Sequence, residues 1–128
     1  MNKDEQKFSA WLRRKLPGHV ARIESCIGAG IPDISWSHPI YGEHWIETKI
    51  ITHDWVLLDK EQYAWGMRRQ KCGGSVMIIA IHKNINMIKV FKFPIKVSGG
   101  SSRFLRVISR PDAEFLRSKF NLVYLSRS

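Results

Sequence analysis

The sequence predicts an α/β domain with a mixed central sheet flanked by helices, and three observations predict it. An apolar stripe of Phe8, Trp11, Leu12 and Leu16 opens the chain at helical spacing. Strand-length apolar runs punctuated by Gly and Pro follow it. A helix-length segment then separates the run at 43–51 from an almost wholly apolar run at 75–82. A strand covered on both faces reads as such a run, and a helix between two strands makes a right-handed parallel crossover the expected connection.

Taken in order, residues 3–16 form the first helix, which Pro17-Gly18 ends. A strand over 19–25 leads into a loop containing Gly28 and Gly30, which permit either a tight turn or close backbone approach. Strands at 31–37 and 43–51 are joined through 38–42, where Pro39 and Gly42 fit a hairpin connection. Asp59 caps a helix over 60–71 that Gly73-Gly74 stops. Tyr63 and Trp65 are expected to pack that helix. Strands at 75–82 and 87–93, separated by the Asn84-Ile85-Asn86 turn, complete an αβββαβ core with a further strand.

Beyond Pro94 the chain carries an additional C-terminal strand/helix segment. Residues 97–102 read as an exposed, mobile loop, and 103–109 as a basic strand. Ser109 and Pro111 open a helix with Phe115 and Leu116 on its inner side, and a last strand over 122–125 packs on the core or on a partner subunit. The expectation is one domain over 1–128, with its core at about 3–93 and an extension at about 94–128.

Composition narrows the function. With 44% hydrophobic residues, five Trp and six Phe, the chain has the material for a real core. A net charge of +10 and a pI near 10.0 call for an acidic partner, of which nucleic acid is the commonest, and disfavour a neutral metabolite. The nucleic-acid-binding candidates are Arg13, Arg14, Arg22, Arg68, Arg69, Arg103 and Arg106, with His53 just past a strand end where it would reach a phosphate. Further basic groups are Lys89, Lys92 and Lys96, then Arg117 and Lys119; a well-solvated basic surface is the alternative for any cluster taken singly. Phosphate contacts of this kind give affinity and salt dependence without sequence information.

Only Cys26 and Cys72 occur, without Cys-x-x-Cys spacing, so neither a disulfide framework nor a cysteine zinc site is expected. The five histidines are not expected to form a zinc site. No apolar run approaches the length of a membrane span, and a reducing cytoplasm is the expected location.

Two carboxylates and a lysine sit inside the strand-like runs. Asp33 follows Gly30-Ile31-Pro32, and Glu47 and Lys49 lie within Trp45-Ile46-Glu47-Thr48-Lys49-Ile50-Ile51. Alternation puts Glu47 and Lys49 on the face of Trp45 and Ile51, which argues for burial, with Ile46, Thr48 and Ile50 on the other. Mg²⁺ takes oxygen ligands and is commonly held by one or two carboxylates plus a substrate phosphate. A nearby lysine adds a point charge that can orient water or steady a phosphate, so the set suits metal-assisted phosphodiester hydrolysis. The alternative is a turn ended by Asp33 and a solvated strand face at Glu47 and Lys49.

Pro32-Asp33 followed by Glu47-Thr48-Lys49 resembles the signature of the PD-(D/E)XK nuclease superfamily. The glycines before Pro-Asp, the helix bearing Gln62 and Trp65, the Gly-Gly stop and the apolar strand look like its virus-type replication-repair (VRR-NUC) branch, over roughly 22–82. The resemblance implies a restriction-endonuclease-like fold and one or two Mg²⁺ or Mn²⁺ ions held by Asp33, Glu47, the Thr48 carbonyl and Glu5. Lys49 would position or activate water, and Gln62 would lie near the active site. Glu5 also fits a capping box with Asn2, Gln62 fits one with Asp59, and Glu24 is the other candidate third acid.

The resemblance further implies a homodimeric, structure-selective DNA endonuclease acting on branched DNA such as four-way junctions, with no small-molecule cofactor besides metal. Stand-alone members are frequent in phage genomes, which implies the host cytoplasm. A nuclease or nickase of linear duplex or single-stranded DNA, and an inactive nucleic-acid-binding protein of the same fold, are the alternatives.

Overall fold

The first helix, α1 (Lys3–Lys15), begins where the Asn2 side chain accepts the Glu5 N–H at 2.8 Å. Asp4 and Glu5 sit in its first turn and Arg13, Arg14 and Lys15 in its last, matching charge to the helix dipole at both ends. Phe8 and Leu12 are fully buried, and Pro17 follows the end, its carbonyl accepting the Trp36 indole N–H at 2.5 Å. The computed structural model describes residues 2–23 and 30–112. Glu24, Cys26 and Gly28, together with the expected helix after Pro111 and strand at 122–125, lie outside the described residues, as do Arg117 and Lys119.

Three antiparallel strands follow: β1 (His19–Arg22), β2 (Ile34–His38) and β3 (Gly42–Ile51). After β3 comes a short strand not expected from the sequence, β4 (Leu57–Asp59), then α2 (Lys60–Lys71), which ends at Gly73 in a left-handed conformation, φ +91°. β5 (Val76–His82) is buried along its whole length and pairs parallel with β3, as a crossover through a helix requires. β6 (Met87–Lys92) returns antiparallel to β5 after a turn in which Asn86 has positive φ. The five-stranded order is β1-β2-β3-β5-β6.

Residues 97–102 are only partly the loop expected. Val97 and Ser98 form β7, which pairs with β8 (Phe104–Val107), and β8 pairs in turn with β4 to make a second sheet ordered β4-β8-β7. The segment after Pro94 therefore completes a structure begun at Leu57, because Val107 is 2% exposed and fills the same cluster as Leu58 and Val56. β8 is the basic strand expected over 103–109, whereas β4 and β7 are too short to carry an alternating pattern.

The central sheet buries both faces. On one, Phe8, Leu12 and Leu16 of α1 pack against Ile34, Trp36, Ile46, Met77, Ile79, Ile81, Ile88 and Val90. On the other, Val76, Ile78, Ala80 and Phe91 meet Val56, Leu58 and Val107, with Tyr63, Trp65 and Met67 of α2 packed against them. Among the described residues, no helix is long and apolar enough to cross a membrane.

Gly66 is where α2 comes closest to this second layer. A Cβ there would lie 2.4 Å from the Phe93 ring, which is itself buried. Gly66→Ala gains about 1 kcal/mol of helix propensity but incurs overpacking of about 1 to 3 kcal/mol. The variant should melt lower than the parent in thermal denaturation, and adding Phe93→Leu should recover part of the loss.

Candidate active site

The candidate site forms where the ladder between β2 and β3 stops. Pairing runs from His38 with Gly42 to Ile34 with Ile46. One further step would set Asp33 opposite Glu47, and there side-chain bonds replace the strand pairing. Asp33 Oδ1 accepts the Thr48 N–H at 2.9 Å; Oδ2 accepts the Thr48 hydroxyl at 2.6 Å and the Ser9 hydroxyl at 3.0 Å. One carboxylate thus joins α1, the entrance to β2 and the middle of β3.

Glu47 is 9% exposed, and its Oε1 accepts a hydrogen bond from Gln62 Nε2 at 2.9 Å. Gln62 is the third residue of α2, and its Oε1 accepts the Asp59 N–H at 3.0 Å, one half of a capping box. With the amide oxygen committed to a backbone donor, its NH₂ is the group turned to Glu47. The residue thus caps α2 and contacts Glu47 at the same time. Gly30, with φ +88°, brings the chain before Asp33 against the same helix start: a Cβ there would lie 2.2 Å from the Glu61 carbonyl oxygen. This position needs glycine for conformation and for close approach together.

The Glu47 carboxyl is raised from its ordinary 4.5 to about 8. Burial is the largest cause, the Asp33 charge is next and the Glu5 charge adds to it; Lys49 and a hydrogen bond from the Asp33 backbone oppose it. Lys49 is half-buried on β3, its register partner Ala80 of β5. Glu5 is half-buried in the first turn of α1, where its N–H meets Asn2, and it bears on Glu47 through its charge.

Among the described residues no group of three or more His, Cys, Asp and Glu side chains forms a metal cage. The donors nonetheless fit a hard divalent cation. Two carboxylates act on each other through their charges, an arrangement that repels without a cation, and Mg²⁺ commonly uses one or two carboxylates and completes its shell with water and phosphate.

The basic candidates fall on separate elements. Arg13 and Arg14 end α1, Arg22 ends β1, Arg103 and Arg106 lie at the start and middle of the β8 segment, and Arg68 and Arg69 end α2. The Arg69 guanidinium lies over Trp45 at 5.0 Å and over Trp65 at 5.7 Å, which gives it a packing role. His53 is exposed and stacks on Trp55, their centroids 4.3 Å apart.

Ser9 was not expected as a site residue. Its signal was a small polar side chain between Phe8 and Leu12 on the buried stripe of α1, where it is 3% exposed. Thr48 was expected to contribute a carbonyl only, whereas its N–H and hydroxyl hold Asp33.

An αβββαβ core with helices on both faces of a mixed sheet is the restriction-endonuclease-like fold. A solved structure of similar fold is Hjc, a Holliday junction resolvase from the archaeal hyperthermophile Archaeoglobus fulgidus. The match has a TM-score of 0.60 at 13% identity and covers 81% of this chain and 83% of that one. No protein-family model and no curated protein sequence matches the chain.

Between pH 4.5 and about 8 the Glu47 carboxyl is protonated in the metal-free fold but ionised in the unfolded chain. Stability is therefore lost as pH rises through that window, by up to about 1.4 kcal/mol per pH unit. Glu47→Gln removes the titration and keeps an acceptor for Gln62. In chelator its melting temperature should exceed the parent's at pH 7 to 8 and converge with it near pH 4.5.

Proposed function

We propose that this chain is a divalent-metal-dependent DNA endonuclease of the PD-(D/E)XK type, of the virus-type replication-repair kind, selective for branched DNA such as four-way junctions. The observation that carries the reading is the buried Glu47 carboxyl under the influence of the Asp33 charge, with Lys49 two residues on, in a fold shared with a Holliday junction resolvase. A net charge of +10 supports a polyanionic substrate.

Asp33 and Glu47, with the Thr48 carbonyl and Glu5, would hold one or two Mg²⁺ or Mn²⁺ ions, which supply charge neutralisation at the phosphate and a more acidic bound water. Ser9 and Thr48 fix the Asp33 carboxylate by three hydrogen bonds, so its orientation is set before substrate arrives. Gln62 fixes one oxygen of Glu47. Lys49 offers a compact positive charge to the attacking water or to the phosphate oxygens. Arg13, Arg14, Arg22, Arg68, Arg103, Arg106 and His53 would contact the DNA backbone.

One such site cuts one strand, so paired cuts across a junction call for two copies, and a two-fold homodimer matches a substrate with two equivalent strands. Cleavage of linear duplex or single strands is the second reading, favoured by the spread of basic residues over several elements and not along one groove.

Labelled four-way junction, flap, linear duplex and single-stranded DNA, incubated with Mg²⁺ or Mn²⁺, test the reading. Symmetric junction cuts are expected. Asp33→Ala should abolish them and Lys49→Ala should slow them about 10² to 10³-fold, the loss of one preorganised electrostatic group. Lys49→Ala should keep its melting temperature and DNA affinity; undiminished cleavage in this variant would refute its role.

Gln62→Glu separates the two jobs of that residue. Glutamate closes a capping box as well as glutamine does, so α2 should persist by circular dichroism. It replaces the donor facing Glu47 with a like charge, and cleavage should fall about tenfold or more.

A further inference from the structure

The loop between β3 and β4 carries an aromatic stack, His53 on Trp55, whose rings the proposed backbone contacts leave without a role. The exposed His53 imidazole lies parallel to the Trp55 indole, centroids 4.3 Å apart and planes within 8°. The Arg106 guanidinium lies 4.6 Å from the centre of the same indole. Arg106 pairs opposite Leu57 on the neighbouring strand, and directly opposed residues share a face. That outward face of the second sheet also carries Phe104. Leu57 is 49% exposed and Phe104 37%, whereas Leu58 and Val107 on the inward face are buried. An aromatic stack edged by apolar and cationic side chains is therefore presented to solvent.

The loop is built to hold still. The Lys83 N–H donates to the Ile51 carbonyl at 2.8 Å, and the Asn84 side chain reaches the Thr52 carbonyl at 3.3 Å. Lys89 Nζ meets Asp54 at 2.9 Å, and His82 lies 3.9 Å from the same carboxylate. On the far side the Val107 N–H donates to the Val56 carbonyl at 2.9 Å. Asp54, the acidic group nearest the stack in sequence, is thus matched by Lys89, so Arg106 dominates the local charge.

Both ends of the loop belong to the candidate active site. It leaves β3 two residues after Lys49 and returns through β4 to Asp59, the cap bonded to Gln62. His53 is four residues from Lys49, so their Cα atoms are at most about 14 Å apart. That distance is about four nucleotide rises along a strand. Parallel aromatic rings backed by a cation bind bases through their faces, independent of sequence, while the cation meets the phosphate.

We propose that His53, Trp55 and Arg106 form a platform on which an unpaired nucleotide near the scissile phosphate stacks, so that the protein selects DNA with a strand break or branch over continuous duplex. This rests on the nuclease reading above.

Affinities of the full chain for a continuous duplex and for the same duplex with a short single-stranded gap, measured by fluorescence anisotropy in chelator, test it. The gapped DNA should bind tighter than the continuous one, and 2-aminopurine in the gap should be quenched on binding. His53→Ala and Trp55→Ala should each reduce the ratio of the two affinities, Trp55→Ala by about tenfold. Trp55→Phe should retain most of it. Because His53 is exposed, its variant reads the platform even if Trp55→Ala does not fold. An unchanged ratio in His53→Ala together with unquenched 2-aminopurine overturns the proposal. So does a change of oligomeric state by sedimentation in His53→Ala without a change in ratio, which would make this face a contact between copies. Wild-type cleavage with the Lys49→Ala control reports separately on the nuclease reading, so either can fail alone.

Discussion

Much of this structure depends on what happens at Asp33. A β-ladder continues as long as each strand offers backbone partners, and between β2 and β3 it stops one step before Asp33 would face Glu47. The Thr48 N–H would then lack an acceptor on that side, at a cost of about 1 to 3 kcal/mol for a buried group. The Asp33 carboxylate supplies the acceptor and also takes the hydroxyls of Thr48 and Ser9. The opening of the sheet and the anchoring of α1 over it are one event, held by one side chain.

The same opening creates the electrostatic tension at Glu47. Burial disfavours its charged form most, and the Asp33 charge adds to that. The fold relieves this by raising the Glu47 carboxyl to about 8, so that it is mostly neutral when nothing cationic is present. The carboxyl is held in apolar surroundings: Ile46 beside it in sequence and Ile78 opposite it in register are both 0% exposed. Stability is spent on an arrangement whose natural complement is a cation.

Position is secured from the second layer. The start of α2 is fixed by its capping box, by the close pass of Gly30 and by the Lys60 N–H bonding to the Arg103 carbonyl at 3.1 Å. Gln62 transmits that fixed position to Glu47. The small second sheet, which joins β4 to a segment more than 40 residues later in the chain, therefore supports the site as well as the loop carrying Trp55.

The sequence by itself determined the elements and their order wherever a long periodic signal existed. The stripe Phe8, Leu12, Leu16 marks α1, Asp59 and Gly73 bound α2, and the apolar run at 76–82 marks a strand buried on both faces. Alternation also put Glu47 and Lys49 on one face, and neighbouring strands brought Asp33 to Glu47. Tertiary structure decided what local patterns cannot carry. β4 and β7 are two or three residues long, too short for periodicity, and exist because β8, the basic strand the sequence does announce, supplies their hydrogen-bond partners. The roles of Ser9 and Thr48 arise from bonds to Asp33 across 24 and 15 residues of chain. Gln62 read as a cap or as a residue near the site, and only the fixed orientation of its amide, one end on a backbone donor and the other on Glu47, lets it do the first while touching Glu47.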